Sequence, residues 1–480
     1  MKGARPPEGR AGGKSQRGAA VGKRKASGKG KRGTPPPGAR ELAFDLTRRV
    51  NDGGAYLGLL LRYSLGKSRL APRDRSLVAE LCYGVQRHRN LLDHLISQLS
   101  DRPLEEIDGA ILDVLRLGMY QLYRLGIPGH AAANESVSLA KARLGPGPAS
   151  FVNAVMRRAV AEKDSLSLPP REDTPEYLEV VHSHPRWLVE LLLARMAPEE
   201  AEALCVSDNT IPSLTLRANP MRIDAPGLLA KVEERGGAGE LSPALREAVR
   251  EVSLSYPALQ DLLCEGLCVV QDEGSMLVGY AVSPGEGDLV VDACAAPGGK
   301  ATHLATLGGP ACRVLAVDVN AKRLEAMKKS VERLGLENVA LLQGDAHGLP
   351  DLVDGEADLV LVDAPCSGLG TLRRNPELRW RRKPEDLPGF TRLQASLLEA
   401  AARTVRPGGA VVYSVCTYTR EETSEVVEAF LARHGDFHAA DLGAFLPEPY
   451  RSSLSPDGYA QLMPHLHGCE GMFIARLERS

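Results

Sequence analysis

The stretch LVVDACAAPGGK, residues Leu289–Lys300, decides the fold of the C-terminal half of the chain. An apolar run leads into Asp292, and two adjacent glycines, Gly298 and Gly299, follow before a helix-like segment. Glycine lets the backbone approach a ligand closely, and the first N–H groups of a helix are free to bind anionic groups. The stretch therefore predicts a strand, a tight turn and a helix that together form a nucleotide-type cofactor loop.

The sequence from Gln271 to the C-terminus repeats the same strand–helix unit. Near-continuous apolar runs alternate with helical patterns such as Ala321–Leu334 and Arg392–Val405. The predicted strands are Asp288–Ala293, Arg313–Val317, Val339–Leu342, Ala357–Val362 and Gly409–Val415. Buried strands joined by helices indicate a doubly wound parallel sheet, so residues 271–480 are predicted to form an α/β domain.

Acidic residues stand where four of these strands end, at Asp292, Asp318, Asp345 and Asp363. Ligands of such sheets bind at the carboxyl edge, and an acid about 20 residues after the glycine turn accepts hydrogen bonds from ribose hydroxyls. Any single aspartate could instead be a helix cap. The G-x-G-x-x-G dinucleotide fingerprint is missing, which favours an adenosyl cofactor over NAD.

Two cysteines also follow strand-like runs, Cys366 in DAPCSG and Cys416 in YSVCTY. A single cysteine at such a position is most often a small core residue. Two thiols at neighbouring strand ends beside a cofactor loop, with Lys300 near enough to favour thiolate, instead suggest methyl transfer to a pyrimidine carbon.

Residues 372–380, LRRNPELRW, combine basic, turn and aromatic residues. Arg373 and Arg374 could bind phosphate and Trp380 could stack on a base, which predicts RNA contact. The alternative is a charged surface loop.

The first 270 residues divide into four regions by composition. Residues 1–40 carry twelve Lys or Arg against one acid and are rich in Gly and Pro, which predicts a disordered basic tail. Its partner is a polyanion, or it is a solvated extension without a ligand. Residues 41–163 show helical periodicity throughout and predict an all-α bundle, 164–176 read as a linker, and 177–270 predict a small α+β module.

Several classes of protein are disfavoured by composition. No run approaches the roughly 18 apolar residues of a membrane span, and the N-terminus lacks the apolar stretch of a secretory signal. Nine scattered cysteines indicate free thiols in a reducing compartment, so we expect a cytoplasmic protein. Cys264 and Cys268 have no second pair at zinc-site spacing, and no metal is expected.

The C-terminal motifs, taken in order, resemble the RsmB (Sun, Fmu) type of RNA 5-methylcytosine methyltransferase. They are DACAAPGGKATHLA, VDVNAKRL, GDA, DAPCSGLGTLRRNPELRW and YSVCTYTREE. Residues 41–163 resemble the NusB-like RNA-binding domain fused to these enzymes, and 177–270 resemble their RRM-like module. The resemblance implies a multidomain chain that ends in a Rossmann-like class I methyltransferase domain.

The resemblance also implies a cofactor, S-adenosylmethionine, and roles for individual residues. Cys416 is expected to be the nucleophile, Cys366 to assist product release, and Asp363 and Lys300 to act beside them. The expected cofactor-binding residues are Cys294, Ala295, Ala296, Pro297, Gly298, Gly299, Lys300, Asp318, Asp345 and Asp363.

The sequence thus predicts a monomeric enzyme that methylates carbon 5 of a cytidine in small-subunit ribosomal RNA. Two alternatives remain at this point. One is a cytosine methyltransferase for transfer RNA or another nucleic acid, and the other is a non-catalytic RNA-binding assembly factor.

Overall fold

The computed structural model describes residues 37–353 and 356–480, so most of the predicted basic tail lies outside the described residues. The N-terminal region is a helical bundle. Its helices are α1 (Ala39–Gly53), α2 (Leu57–Lys67), α3 (Pro72–Arg87), α4 (Arg89–Leu99), α5 (Gly109–Tyr123), α6 (Gly129–Arg143) and α7 (Pro146–Ala161). Apolar residues at three- and four-residue spacing turn inward and form one core, as the periodicity predicts.

Three helices follow the bundle, α8 (Thr174–Val180), α9 (Arg186–Leu193) and α10 (Pro198–Asp208). Their buried leucines share a core with Leu369, Leu372 and Leu378, which belong to the C-terminal domain. This segment therefore packs against the domain that carries the two cysteine motifs.

A small α+β module comes next, with its own separate core. Its elements are β1 (Leu214–Ala218), α11 (Ala225–Glu234), β2 (Ala238–Leu241), β3 (Ala248–Ser253), α12 (Tyr256–Cys264) and β4 (Cys268–Val270). The strands form one antiparallel sheet in the order β2-β3-β1-β4. The predicted α+β character is confirmed.

The C-terminal domain alternates strands and helices. Its elements are α13 (Glu273–Val282), β5 (Leu289–Asp292), α14 (Gly299–Leu307), β6 (Arg313–Asp318), α15 (Ala321–Leu334), β7 (Val339–Gln343), α16 (Leu349–Leu352), β8 (Ala357–Asp363), α17 (Leu378–Arg381), α18 (Leu387–Thr404), β9 (Val405–Val415), α19 (Ser424–Leu431), β10 (Phe437–Ala439), β11 (Ala460–Leu462), α20 (Pro464–His467) and β12 (Met472–Arg479).

The large sheet of this domain has the strand order β10-β12-β9-β8-β5-β6-β7, and β11 pairs with β12. Strands β9, β8, β5, β6 and β7 are parallel, as predicted. The chain reverses at β12, which runs antiparallel to β9, β10 and β11, a feature that the sequence reading missed. The carboxyl ends of β5, β6, β8 and β9 meet at one edge, which positions the candidate site.

Candidate active site

The loop between β5 and α14 is fixed by hydrogen bonds to the next strand. The Ala295 N–H donates to the Val317 carbonyl at 3.0 Å, and the Ala296 N–H donates to Asp318 Oδ2 at 3.1 Å. Gly298 has a φ of 102°, and a Cβ atom there would lie 2.7 Å from the Met327 side chain. Glycine is thus required both by conformation and by close packing.

Asp292 is buried at the end of β5, and neither of its carboxylate oxygens has a hydrogen-bond partner among residues 37–353 and 356–480. Burial raises the pKa of Asp292 to about 7, and the charge of Asp363 adds to the effect. A buried carboxylate without a donor is costly, so this group is suited to a cationic or hydrogen-bond-donating ligand.

Lys300 and Asp363 form an ion pair at the end of β8. Lys300 Nζ lies 2.7 Å from Asp363 Oδ2, and the Ser414 hydroxyl donates to Asp363 Oδ1 at 2.8 Å. Burial by itself lowers the pKa of Lys300, but the charge and hydrogen bond of Asp363 outweigh it, with a further contribution from Cys416, and the net effect is a raised pKa. A charged lysine and an oriented carboxylate thus lie beside the thiols.

The two cysteines predicted to act together are in direct contact. Their Sγ atoms lie 3.1 Å apart, and both side chains are partly buried. The pKa of the Cys366 thiol is raised well above its ordinary value by the hydrogen bond with Cys416, by burial and by the nearby acids Glu422 and Asp363. Cys366 therefore retains its proton and can donate it toward the other sulfur.

Glu422, which ends the motif YSVCTYTREE and to which the sequence analysis gave no role, joins the two cysteine loops. Its Oε1 accepts from the Ser367 N–H at 2.8 Å and from Gln394 Nε2 at 3.1 Å, and its Oε2 accepts from Thr419 Oγ1 at 2.9 Å. Gln394 also donates to the carbonyl of Pro365, the residue before Cys366. Glu422 is fully buried. In the sequence, only its short distance from Cys416 could have indicated that it belongs to the site.

The other predicted cofactor residues lie around the same edge. Asp318 accepts from the N–H groups of Ala296 and Asn320, while Asp345 is largely exposed and accepts from His347. Those backbone and side-chain hydrogen bonds lower the pKa of Asp345, so it is ionised. Cys294 is mostly buried, and burial raises the pKa of its thiol, which argues against a reactive role.

A cavity of about 280 Å³ opens between this loop and the α+β module. It is lined by Cys294–Pro297, Lys300, Asp292 and Asp363, by Arg374, which the sequence predicted to contact RNA, and by two acids that the sequence did not single out, Asp272 and Glu470. Arg374 binds both of those acids, with Nε 2.6 Å from Glu470 Oε1 and Nη2 3.2 Å from Asp272 Oδ2.

The residues predicted to bind RNA have partners inside the protein. Besides the ion pairs of Arg374, Arg373 donates to the Gly468 carbonyl, and the Trp380 indole N–H donates to the Gln86 carbonyl of α3 at 2.8 Å. Neighbouring Arg379 is fully buried and donates to the Ser183 carbonyl. The segment thus joins the C-terminal domain to the helical regions. RNA contact by Arg373, Arg374 and Trp380 stays a prediction.

Within the described ranges, no group of three or more His, Cys, Asp or Glu side chains has an arrangement that could hold a metal ion. In the same part of the chain, no helix is both long enough and apolar enough to cross a membrane.

Comparison with known proteins agrees with this architecture. Residues 279–478 match the family model for 16S rRNA methyltransferase RsmB/F, residues 37–161 match the NusB family, and residues 184–252 match the ferredoxin-like domain of RsmF/B-like methyltransferases. These matches confirm the predicted fold class.

Similarity to individual proteins extends over most of the chain. A Bacillus subtilis protein named probable ribosomal RNA small subunit methyltransferase B is 34% identical over 443 residues, which cover 92% of this chain and 98% of the relative. Ribosomal RNA small subunit methyltransferase B of Pseudomonas putida is also 34% identical, with 92% and 97% covered. The crystal structure of PH0851 superposes with a TM-score of 0.78 at 26% identity, over 92% of this chain and 99% of the other. The chain therefore belongs to the RsmB/F family of ribosomal RNA methyltransferases.

Proposed function

We propose that this protein transfers a methyl group from S-adenosylmethionine to carbon 5 of a cytidine in small-subunit ribosomal RNA, through a covalent bond between Cys416 and carbon 6. The observation that carries the proposal is the 3.1 Å contact between the Cys366 and Cys416 sulfurs, beside the Lys300–Asp363 ion pair.

The residues at the sheet edge fit the cofactor. The two unpartnered oxygens of buried Asp292 suit the ammonium group of its methionine part, while Asp318 and Asp345 suit the ribose and adenine parts. Cys294–Lys300 would form the rest of the site, together with Asp363. When bound, the cofactor supplies an electrophilic methyl group.

The thiols address the central difficulty of the reaction, which is that carbon 5 of cytosine is a poor nucleophile. Addition of the Cys416 thiolate to carbon 6 breaks the 5,6 double bond and places electron density on carbon 5, so one difficult step becomes two easier ones. Negative charge that moves toward N3 is neutralised by a proton taken from solvent. The resulting N–H can donate to Asp363, which Lys300 and Ser414 hold in place.

Cys366 acts after methylation in this proposal. Transfer of the carbon 5 proton to a water-linked base restores the double bond, returns the N3 proton to solvent and expels Cys416 as the thiolate with which the cycle began. The neutral Cys366 thiol, in contact with Cys416, suits this last step because it can donate a hydrogen bond to the departing thiolate.

Small-subunit ribosomal RNA is favoured as substrate because relatives that match nearly the whole chain carry that name. The target base must leave any helical stack to reach the cysteines. The rival role as a non-catalytic assembly factor predicts loss of the thiols or of the carboxylates, and all of them are present. We further propose that the enzyme acts as a monomer in the cytoplasm.

Two cysteine variants test the proposal. Cys416→Ala should abolish methyl transfer to ribosomal RNA while S-adenosylmethionine binding, measured by calorimetry, is retained. Cys366→Ala should accumulate a protein–RNA adduct that survives denaturing electrophoresis. Cys264→Ala, which removes an exposed thiol, is the matched control and should behave like the wild type. If Cys416→Ala still methylates RNA and Cys366→Ala does not, then Cys366 is the nucleophile and Cys416 assists product release.

Bisulfite sequencing of small-subunit ribosomal RNA and of transfer RNA, from cells with and without the protein, would identify the cytidine. A difference confined to transfer RNA would instead support the alternative substrate.

A further inference from the structure

Helix α2 of the N-terminal bundle has an outer face of unusual composition. Its buried side contributes Leu57, Leu60 and Leu61 to the bundle core. The opposite side carries large side chains that stand in solvent. We call this face the α2 ridge, and it consists of Tyr56, Leu59, Arg62, Tyr63 and Lys67.

The exposure of this ridge is high for apolar side chains. Leu59 is 65% exposed, Tyr63 60% and Tyr56 45%. Large hydrophobic side chains clustered in solvent usually mark an interaction site. Of the three large aromatic side chains exposed in the described ranges, the ridge carries two, and the third is Tyr256 in the α+β module.

The surroundings of the ridge are strongly basic. The twenty residues from Tyr56 to Arg75 contain five Lys or Arg and one acid, Asp74. Arg69 and Arg73, which follow the ridge, are exposed like Arg62 and Lys67. Aromatic side chains set among basic ones bind single-stranded nucleic acid, because bases stack on the rings while the cations neutralise phosphates.

The ridge is connected to the cysteines through two consecutive arginines. Arg381 lies over the Tyr56 ring, 5.6 Å from its centroid, and donates to the carbonyls of Gly54 and Val50. Arg382 donates to the carbonyl of Ser367, the residue after Cys366, at 2.7 Å. The ridge thus continues a basic path that starts next to the reactive thiols.

Tyr63 contacts Lys67, the last residue of α2, which lies over one face of its ring. Lys67 Nζ lies 2.6 Å from the Tyr63 hydroxyl and 3.9 Å from the ring centroid. From Tyr56 to Lys67 the helix rises about 16 Å, a length that several stacked nucleotides can follow.

We propose that the α2 ridge binds the single-stranded RNA that flanks the target cytidine. The proposal rests on the proposed function, since it requires RNA as the substrate, and it adds where the flanking strand runs. The chain's own N-terminal segment is a poor occupant, because residues 1–36 carry eleven Lys or Arg and one acid, the same sign of charge as the ridge.

The experiment measures affinity of the full-length chain for a fluorescein-labelled, twenty-nucleotide single-stranded RNA, at several salt concentrations. Tyr63→Ala should weaken binding about fivefold or more, whereas Tyr63→Phe, which keeps the ring, should bind like the wild type. Arg62→Ala should weaken binding and reduce the magnitude of the slope of log affinity against log salt by about one.

Arg157→Ala is the matched control, because Arg157 is an exposed arginine of α7 in the same bundle. It should leave both affinity and salt slope unchanged. Thermal unfolding of each variant checks that the exposed substitutions leave the fold intact.

Unchanged affinity in Tyr63→Ala and an unchanged salt slope in Arg62→Ala, with a wild type that binds and methylates RNA, would overturn the ridge proposal only. A wild type that does not bind RNA would overturn the proposed function as well. Loss of a ribosomal protein partner by the ridge variants, with RNA affinity intact, would assign the surface to protein binding and also contradict the proposal.

Discussion

The Sγ atoms of Cys366 and Cys416, fifty residues apart in sequence, lie 3.1 Å apart at the ends of β8 and β9. Parallel pairing of the two strands, with Asp363 opposite Ser414, brings the loops together but does not determine the sulfur separation. The loops that follow the strands are instead joined by Glu422, which binds Ser367 from one loop and Thr419 from the other.

Glu422→Ala is therefore expected to separate the thiols. Loss of the carboxylate leaves a buried Ser367 N–H and a buried Thr419 hydroxyl unpaired, which should lower the free energy of unfolding by about 2–3 kcal/mol. It should also slow adduct formation on RNA at least tenfold, measured as single-turnover formation of the denaturation-resistant complex in a Cys366→Ala background.

Glu421→Ala is the matched control for that experiment, because the adjacent acid pairs with Arg195 at a partly exposed position. It should change the unfolding free energy by less than about 1 kcal/mol and leave adduct formation unchanged. Equal rates in the two variants would show that Glu422 does not position the thiols.

Asp292→Asn is expected to alter the dependence of stability on pH. The pKa of Asp292 rises from an ordinary 3.8 to about 7 in the folded protein, so the folded state binds more protons than the unfolded chain between these values. Ionisation of Asp292 therefore lowers the free energy of unfolding progressively as the pH rises from about 4 to 7. Above pH 7 the destabilisation is complete and no longer changes with pH.

The difference in free energy of unfolding between Asp292→Asn and the wild type should therefore favour the variant by up to about 4 kcal/mol more at pH 8 than at pH 4. Urea unfolding without cofactor measures this difference at each pH. Binding of S-adenosylmethionine, followed by calorimetry, should weaken about tenfold or more because its ammonium loses a charged partner. Asp351→Asn, at an exposed site, serves as control. A stability difference that does not vary with pH would contradict the role of Asp292.

Arg217→Met should disturb the cofactor loop from outside its own domain. Arg217 is buried on β1 of the α+β module, where burial lowers its pKa to about 9, and it donates to the Gly299 carbonyl and to Thr302 Oγ1, both at 2.9 Å. Its loss should cost about 3 kcal/mol of stability and weaken S-adenosylmethionine binding.

Calorimetry and urea unfolding of the intact chain would measure both effects. Arg246→Met replaces an exposed arginine of the same module and should change neither. Cofactor affinity equal to wild type in Arg217→Met would show that the module does not support the loop.

The sequence predicted those parts of the site that are encoded in contiguous stretches. The loop from Asp292 to Lys300 and the motifs around Cys366 and Cys416 each combine a strand with its turn, so local pattern was enough. The contact between Trp380 and Gln86 joins positions 294 residues apart and has no local signature. The sequence therefore did not show that the loop predicted to contact RNA also joins the C-terminal domain to the helical bundle.

The same reason explains the missed contacts of Arg374, whose partners Asp272 and Glu470 lie on either side of it at long distance in sequence. The antiparallel edge was missed for another reason. Strands β10 and β11 have three residues each, too few for an alternating pattern to be recognised. Strand β12 is longer, but its local sequence does not indicate the direction in which it pairs.

Deletion of residues 1–36 should weaken RNA binding and flatten its dependence on salt. The segment holds eleven Lys or Arg, and each phosphate that it neutralises contributes about 0.9 to the slope of log affinity against log salt on duplex regions, somewhat less on single strands. The deletion stops before α1, which begins at Ala39, so the bundle is retained. A full-length variant with all eleven replaced by Gln separates charge from chain length: it should match the deletion if phosphate contact is responsible. Salt slopes equal to that of the wild type in both variants would instead identify the segment as an extension without a role in RNA binding.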